Sequence, residues 1–493
     1  MFCPKCGNSI SDTAKFCGMC GHKFEIAEKS GMKYVRTLKK KKVVMPLLGC
    51  CILLGLFFLF SNATETEEKV SGDYDSLQGI ELPEEEIKTE KSEAKGDNNL
   101  TSIEIPEGVA EIGKSEFKVN KSVTDIKIPD SVTTIGEYAF EDCRSLTSIK
   151  IPNSVTTIGK YAFKNCKSLT SIEIPDSVTT IDEYAFKDCR SLTSIKIPEG
   201  VTVIGNGTFF GCNSLTSIEI PDSVTAIGEL AFQGCSSLTS IELPEGVTEI
   251  GGSVFLNCRN LTSIKIPKGV TEIGTALGGM AGLVSIELPE GMTNIESYAF
   301  HSCSSLTSIE IPDSVTTIGA RAFMGCSGLT SIKIPEGVTE IGEEAFYGCS
   351  GLPNIELPDS LTTIGEGAFR RCDSLTSIEL PDRVVTIGEG AFHSCGSLTS
   401  IKLPQGNMAA ISDFTFWGCS SLTSVKIPRR VTKIGEEAFR GCSSLTNIEI
   451  PGGVTEIGKH AFSECSSLKS IEIPKKTKIS ESTFPSGCKI IRR

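Results

Sequence analysis

The sequence predicts one long repeat solenoid rather than several globular domains, because three features recur together every 23 residues. The first is a short run alternating apolar and polar letters, such as LTSIKI at residues 146–151. The second is a proline that closes the run, followed by a turn such as Pro-Asn-Ser or Pro-Glu-Gly. The third is an Ala-Phe pair with a cysteine three residues later, as in Ala162, Phe163 and Cys166. The phrase fills residues 100–493 with about 17 coils of 23 residues. At a strand spacing of about 4.8 Å they make a rod or arc of about 80 Å.

Each element of a coil follows from its letters. Ile149 and Ile151 alternate with Ser148 and Lys150, which puts the isoleucines inside and the polar pair on the exposed sheet face. Pro152 ends that strand, and Val155 and Ile158 point inward from a second short one. Gly159 is expected at a left-handed corner. A single helical turn is expected next, carrying Ala162, Phe163 and Cys166 inward. One coil cannot close a core, but stacking sets Phe on Phe. The ladder runs from Phe117 to Phe255, resumes at Phe300 and continues to Phe462. The coil "GTALGGMAGLVS" (274–285) lacks both Phe and Cys and is one residue short; "QGNMAAISDFTF" (405–416) is one residue long. The Lys-rich C-terminal stretch breaks the phase, as a cap does.

The strand letters L-x-x-I-x-I fit the leucine-rich signature. The phrase LTSIEIPDSVTTIDEYAF (169–186) resembles the BspA-like leucine-rich repeat family, over about four-fifths of the chain. That resemblance implies a right-handed leucine-rich solenoid, β-rich with short helical turns. It also implies a binding role, often adhesion, on surface or secreted proteins of host-associated bacteria and some protists.

The N-terminus carries different chemistry. Residues 1–24 place Cys3, Cys6, Cys17 and Cys20 as two C-x2-C-G knuckles ten residues apart. Four thiolates at that spacing suit one tetrahedral structural Zn²⁺ and leave no open position for catalysis. Iron, as in rubredoxin-type knuckles, is the other metal the donor set accepts. A two-disulfide knot needs an oxidising compartment. His22 follows the last knuckle as a bystander. The stretch resembles short zinc-ribbon domains at the N-termini of many prokaryotic membrane proteins.

Residues 25–42 read as a basic juxtamembrane segment and residues 43–60 as a transmembrane helix, 18 uncharged and largely apolar residues long. Residues 1–42 carry ten Lys/Arg against three Asp/Glu, whereas residues 61–99 carry four against twelve. This charge step puts the N-terminus in the cytoplasm and the repeats outside a cell membrane crossed once. "LLGC" (47–50) faintly resembles a lipoprotein box, but most of the apolar run follows Cys50. Residues 61–99 read as an acidic spacer in which "LQGIELP" (77–83) matches the repeat strand and suggests a degenerate cap coil.

The candidate sites divide into interior and exterior. The 15 repeat cysteines form a line of parallel side chains, which neither converges on a metal nor suits disulfides, so they are expected in the core. The histidines His301, His393 and His460 are expected at exposed variable positions. The sheet face carries one charged residue per coil, ten Glu and seven Lys, and reads as a solvated face. Departures from the repeat are the candidate ligand-binding residues. Tyr138, Tyr161 and Tyr184 share one phase in consecutive coils, suited to sugar or protein contact or to plain ladder packing. Arg370, Arg371, Trp417, Arg429, Arg430 and Arg440, with Arg383, concentrate the Trp–Arg composition of binding hot spots.

The net charge of −13 argues against nucleic acid as partner. No paired carboxylates, triad or phosphate loop suggests an enzyme. The expected function is a membrane-anchored surface leucine-rich repeat protein that binds an extracellular protein or glycan in adhesion or host and cell contact. The alternative is a transmembrane sensor or assembly scaffold whose zinc ribbon recruits a cytosolic partner.

Overall fold

The computed structural model describes residues 101–480 and 482–493, together with the backbone of Glu25–Ala27 and Tyr34–Arg36. The zinc-ribbon cysteines, the apolar run 43–60 and the acidic spacer with its degenerate coil lie outside the described residues. Among the described residues, no helix is long and apolar enough to cross a membrane. Within the basic segment, Glu25–Ala27 and Tyr34–Arg36 pair antiparallel, with Ile26 opposite Val35.

The described residues from 101 onward form one compact unit. It is a parallel β-solenoid of about 17 coils, most of which contribute two short strands. In one coil these are Ser148–Lys150 and Thr157–Ile158. Neighbouring coils stack in register: Ile149 lies beside Ile172, Lys150 beside Glu173, and Ile158 beside Ile181. Apart from the first strand, Ser102–Glu104, where Ile103 is half-buried, the middle residue of the first strands of the repeat is buried and its flanking residues are exposed, as period-two alternation requires.

The segment after the second strand is not a helical turn. The N–H groups of Tyr138, Phe140 and Asp142 donate to the carbonyls of Lys160, Ala162 and Lys164 in the following coil, at 2.9, 2.8 and 2.8 Å. Between them, Ala139, Glu141 and Cys143 donate three residues back within their own coil, at 3.3, 3.1 and 3.2 Å. An isolated helical turn leaves its end N–H and C=O groups unpaired, which a buried segment cannot tolerate. Alternating the donors between the two directions pairs them all along this stretch.

Gly159 is not the left-handed corner either. The left-handed residues of its coil are Tyr161, at φ 57°, and Asn165, at φ 61°. Gly159 is demanded by contact: a Cβ there would lie 2.8 Å from the carbonyl carbon of Gly136 and 2.9 Å from the amide of Glu137. The row containing Asn165 mostly holds residues that tolerate positive φ, such as Asp142, Asp188, Gly211, Gly325 and Gly348.

Phenylalanines fill the interior as a near-continuous stack, with successive ring centroids 5.1–5.8 Å apart. Leu277 and Met280 take the Phe and Cys places in the short coil, both fully buried. The ladder runs one coil beyond Phe462, since Phe484 stacks on it at 5.6 Å. At the C-terminus, Lys489–Arg492 pairs parallel with Ser470–Ile473 and covers the edge that the last full coil presents. Arg492 Nη1 donates to the carbonyls of Lys475 and Thr477, at 2.8 and 3.1 Å, closing the cap.

Arg371 sits in the left-handed row at φ 58° and is exposed. Replacing it with glycine is expected to raise solenoid stability by up to about 1 kcal/mol in denaturant unfolding. Gly348→Ala should lower it by about the same amount, because φ is 70° there and the nearest atoms to an added Cβ are 3.9 Å away, leaving strain as the cost.

Candidate functional site

The repeat cysteines are free; all are buried except the half-buried Cys488. Each interior thiol also has a specific partner. Cys166 Sγ donates to the Phe140 carbonyl at 3.2 Å, Cys189 to Phe163 at 3.1 Å, and Cys395 to Phe369 at 3.1 Å. In the short coil Cys303 finds the Leu277 carbonyl at 3.3 Å. The cysteine is thus a small apolar residue that also satisfies a carbonyl of the preceding coil. Burial pushes the thiols up, to about 12 at Cys349 and Cys258, so they stay protonated and unreactive at neutral pH. Among the described residues, no group of three or more His, Cys, Asp or Glu side chains is placed to hold a metal.

The tyrosines are brought together as expected. Tyr138 stacks on Tyr161 at 4.9 Å and Tyr161 on Tyr184 at 5.1 Å. Lys118 and Lys164 lie over the rings of Tyr138 and Tyr161, at 5.1 and 5.2 Å from the centroids. The same lysines are ion-paired: Lys164 reaches Glu141 at 2.7 Å and Lys118 reaches it at 3.0 Å. Tyr184 also covers the glycine of the next coil, since a Cβ on Gly207 would lie 2.1 Å from its ring. This strip satisfies itself.

The arginine group divides. Arg370, Trp417 and Arg440 stand in one outward column directly after the Phe row, with Tyr347 before them and His393 between. The Arg370 guanidinium lies 5.7 Å from the Tyr347 centroid and Arg440 lies 5.9 Å from that of Trp417. Arg440 is itself paired with Glu437 and Glu464, at 2.9 and 2.8 Å. Arg371 belongs to the adjacent left-handed row. Arg429 and Arg430 occupy the turn after the first strand, where Arg430 Nη1 donates to Asn407 Oδ1 at 2.8 Å. Arg383 is on the same kind of turn two coils earlier.

The histidines are not simply exposed. His393 is buried, 8% exposed, because its ring stacks on Trp417 at 4.2 Å with planes 5° apart. Burial, with Arg370 and Arg371 nearby, lowers its pKa to about 4, so it is neutral at physiological pH. His301 and His460 are half-buried; their Nδ1 atoms lie 2.9 Å from the Tyr298 carbonyl and 3.2 Å from Ser463 Oγ.

One feature of this column was not read from the sequence. Two consecutive coils spell IGEGAF, at 364–369 and 387–392, where most others place a side chain at the fourth letter and the remaining glycine, Gly207, is covered by Tyr184. Gly367 and Gly390 therefore stand in the tyrosine row with no side chain, at φ 57° and 58°. The result is a cleft of about 190 Å³ between Glu344 and Phe414, lined also by Glu366, Glu389, Arg370, His393 and Trp417. Arg370 lines it, and its Nε is buried without a hydrogen-bond partner. Glu366 and Glu389 make no ion pair among the described residues, and burial with the nearby Glu366 and Asp413 carboxylates raises Glu389.

Fold and surface together define a repeat-built binding scaffold with a sealed interior. The chain belongs to the family of BspA type leucine rich repeat regions, whose model matches residues 59–170, 156–277, 278–395 and 362–492. A zinc-ribbon domain matches residues 2–24. A leucine-rich repeat protein from Bacteroides ovatus is 34% identical, over 73% of this chain and 88% of that one, with a TM-score of 0.63. A leucine rich cell surface protein from Faecalibacterium prausnitzii is 37% identical over 62% of this chain and 88% of its own, with a TM-score of 0.45. A T. pallidum leucine-rich repeat protein is 30% identical over 42% and 83%, with a TM-score of 0.32. No curated protein matches. The ribbon match agrees with the donor set: Cys3, Cys6, Cys17 and Cys20 offer four thiolates, which fit a structural Zn²⁺.

The buried thiols set an alkaline limit. Their folded pKa values lie above the ordinary value of 9.0, so their contribution is complete below about pH 9 and is lost as pH rises toward about 12. Denaturation midpoints should fall across that window. Replacing Cys326, Cys349 and Cys372 with alanine should lower stability at pH 7 yet flatten the alkaline decline.

Proposed function

We propose that the chain is a membrane-anchored surface protein whose solenoid binds an extracellular protein or glycan, in adhesion or in contact with a host or neighbouring cell. The observation that carries this reading is the division of letters within each coil. Ile, Val, Phe, Ala, Cys and Leu are consumed by the core, and each first strand shows only an exposed polar face. What varies from coil to coil is the outward columns, where aromatic and arginine side chains gather around Trp417. Anchored, high-energy contacts of that composition, surrounded by near-neutral charged positions, are how binding surfaces are built.

Anchoring is supported by the 18-residue apolar run at 43–60 and by the charge step across it. In this topology the ribbon stays in the reducing cytoplasm, where thiolates remain available to zinc. The membrane is engaged through one transmembrane helix, and no role for nucleic acid follows from an acidic chain with paired lysines.

Proteolysis of intact cells tests the topology. A protease acting on the acidic spacer 61–99 should release the solenoid while the ribbon remains cell-associated. Full protection of the repeats in intact cells, with cleavage only after lysis, contradicts the proposal.

A further inference from the structure

We propose that the cleft at Gly367 and Gly390 is a subsite for one neutral sugar ring of a glycan. This deepens the proposed binding role of the solenoid and rests on it, though not on the membrane anchor.

The space is created by omission. The outward row carries a side chain in nearly every coil, and two successive glycines remove it for a height of two strand spacings, about 9–10 Å. Elsewhere such a gap is filled, as Tyr184 fills the place above Gly207. Glu344 leans over Gly367, its Cγ 3.2 Å from where a Cβ would be, but a Cβ on Gly390 would meet only His393 Cβ, at 3.6 Å. The volume, about 190 Å³, is below the roughly 300–1,000 Å³ of drug-sized pockets and suits a single ring.

The lining selects among ligand classes. A cationic side chain would meet Arg370, a cation without an ion pair among the described residues. An anion would meet Glu366 and Glu389. An apolar group would cover the Arg370 guanidinium, a charge with no ion pair among the described residues, without compensating it. A ring of hydroxyl groups answers both needs, since each hydroxyl accepts from the guanidinium and donates to a carboxylate. Its apolar face can lie against Phe414 and the edge of Trp417, whose centroids are 6.1 Å apart and tilted by 56°, the faces of Trp417 being taken by His393 and Arg440. His393 backs Trp417 from inside the column and fixes the ring. Glu344 is held by Arg321 at 2.6 Å and forms the rim rather than a free acceptor.

The chain has a single tryptophan, so its fluorescence reports on this cleft. The test titrates the full-length protein in detergent with millimolar glucose, galactose, mannose and N-acetylglucosamine. At least one should give a saturable change in Trp417 emission. Gly390→Asn, which tolerates positive φ and fills the gap, should weaken that response at least tenfold without changing the melting temperature. Arg370→Ala should weaken it comparably. A flat response to all four sugars overturns the proposal, as does a response unchanged in Gly390→Asn. A saturable response to lysine amide and none to the sugars also overturns it and assigns the cleft to a cationic peptide. In every such case the broader binding role would stand or fall separately, on ligand capture by other columns.

Discussion

In nearly every coil the segment leading into the Phe row carries N–H groups that only the next coil can satisfy. Tyr138, Phe140 and Asp142 donate forward, while the residues between them donate backward within their own coil. This alternation works only if consecutive coils are superimposable, which fixes the 23-residue period. It also works only if the backbones approach closely at Gly136 and Gly159, where a Cβ has no room. The Phe stack and the thiol-to-carbonyl bonds follow from that spacing. Most of the repeat cysteines donate to the carbonyl of a Phe 26 residues earlier, and Cys419, after the one-residue insertion, reaches Phe392 27 residues back, so coil length, ring stack and thiol bond are one constraint seen three ways. Where the chain is one residue short, Leu277 and Met280 keep the interior filled, and Cys303 bonds to Leu277 in place of Phe.

The same constraint divides the surface from the interior. Because the inward letters are fixed by stacking, variation is confined to rows that point outward. Neighbouring rows then behave differently. The tyrosine strip near the N-terminal end pairs its lysines with Glu137, Glu141 and Glu183 and covers its rings with cations. The Trp417 column leaves Arg370 without an ion pair among the described residues and opens a space beside it. A satisfied strip contributes local stability, whereas unsatisfied polar groups beside a cavity are what a ligand can complete.

Much of this architecture was legible in the letters. Alternation in SIK and SIE gave the inward isoleucines, the spacing of Phe gave the stack, and the loss of phase after Pro474 marked the cap. The errors have physical sources. A recurrent glycine signals either positive φ or a close approach, and the pattern alone does not distinguish them, so Gly159 was given the corner that Tyr161 and Asn165 occupy. The expected helical turn failed because local sequence does not reveal that its hydrogen bonds leave the coil. His393 was expected outside because its cover, Trp417, comes 24 residues later, after the one-residue insertion, and falls out of simple phase. The cleft had a signal, the doubled IGEGAF, but an absent side chain attracts less notice than a present one. The four N-terminal cysteines were readable from spacing alone and agree with the zinc-ribbon match.

The claim on which this account depends is that the repeat cysteines are interior hydrogen-bond donors rather than chemistry. Residue-resolved thiol alkylation of the native protein, read by mass spectrometry, measures it directly. The account predicts that Cys488 is modified while Cys166 to Cys465 react only after unfolding. Rapid modification of any of Cys212, Cys326 or Cys395 in the folded protein would contradict it.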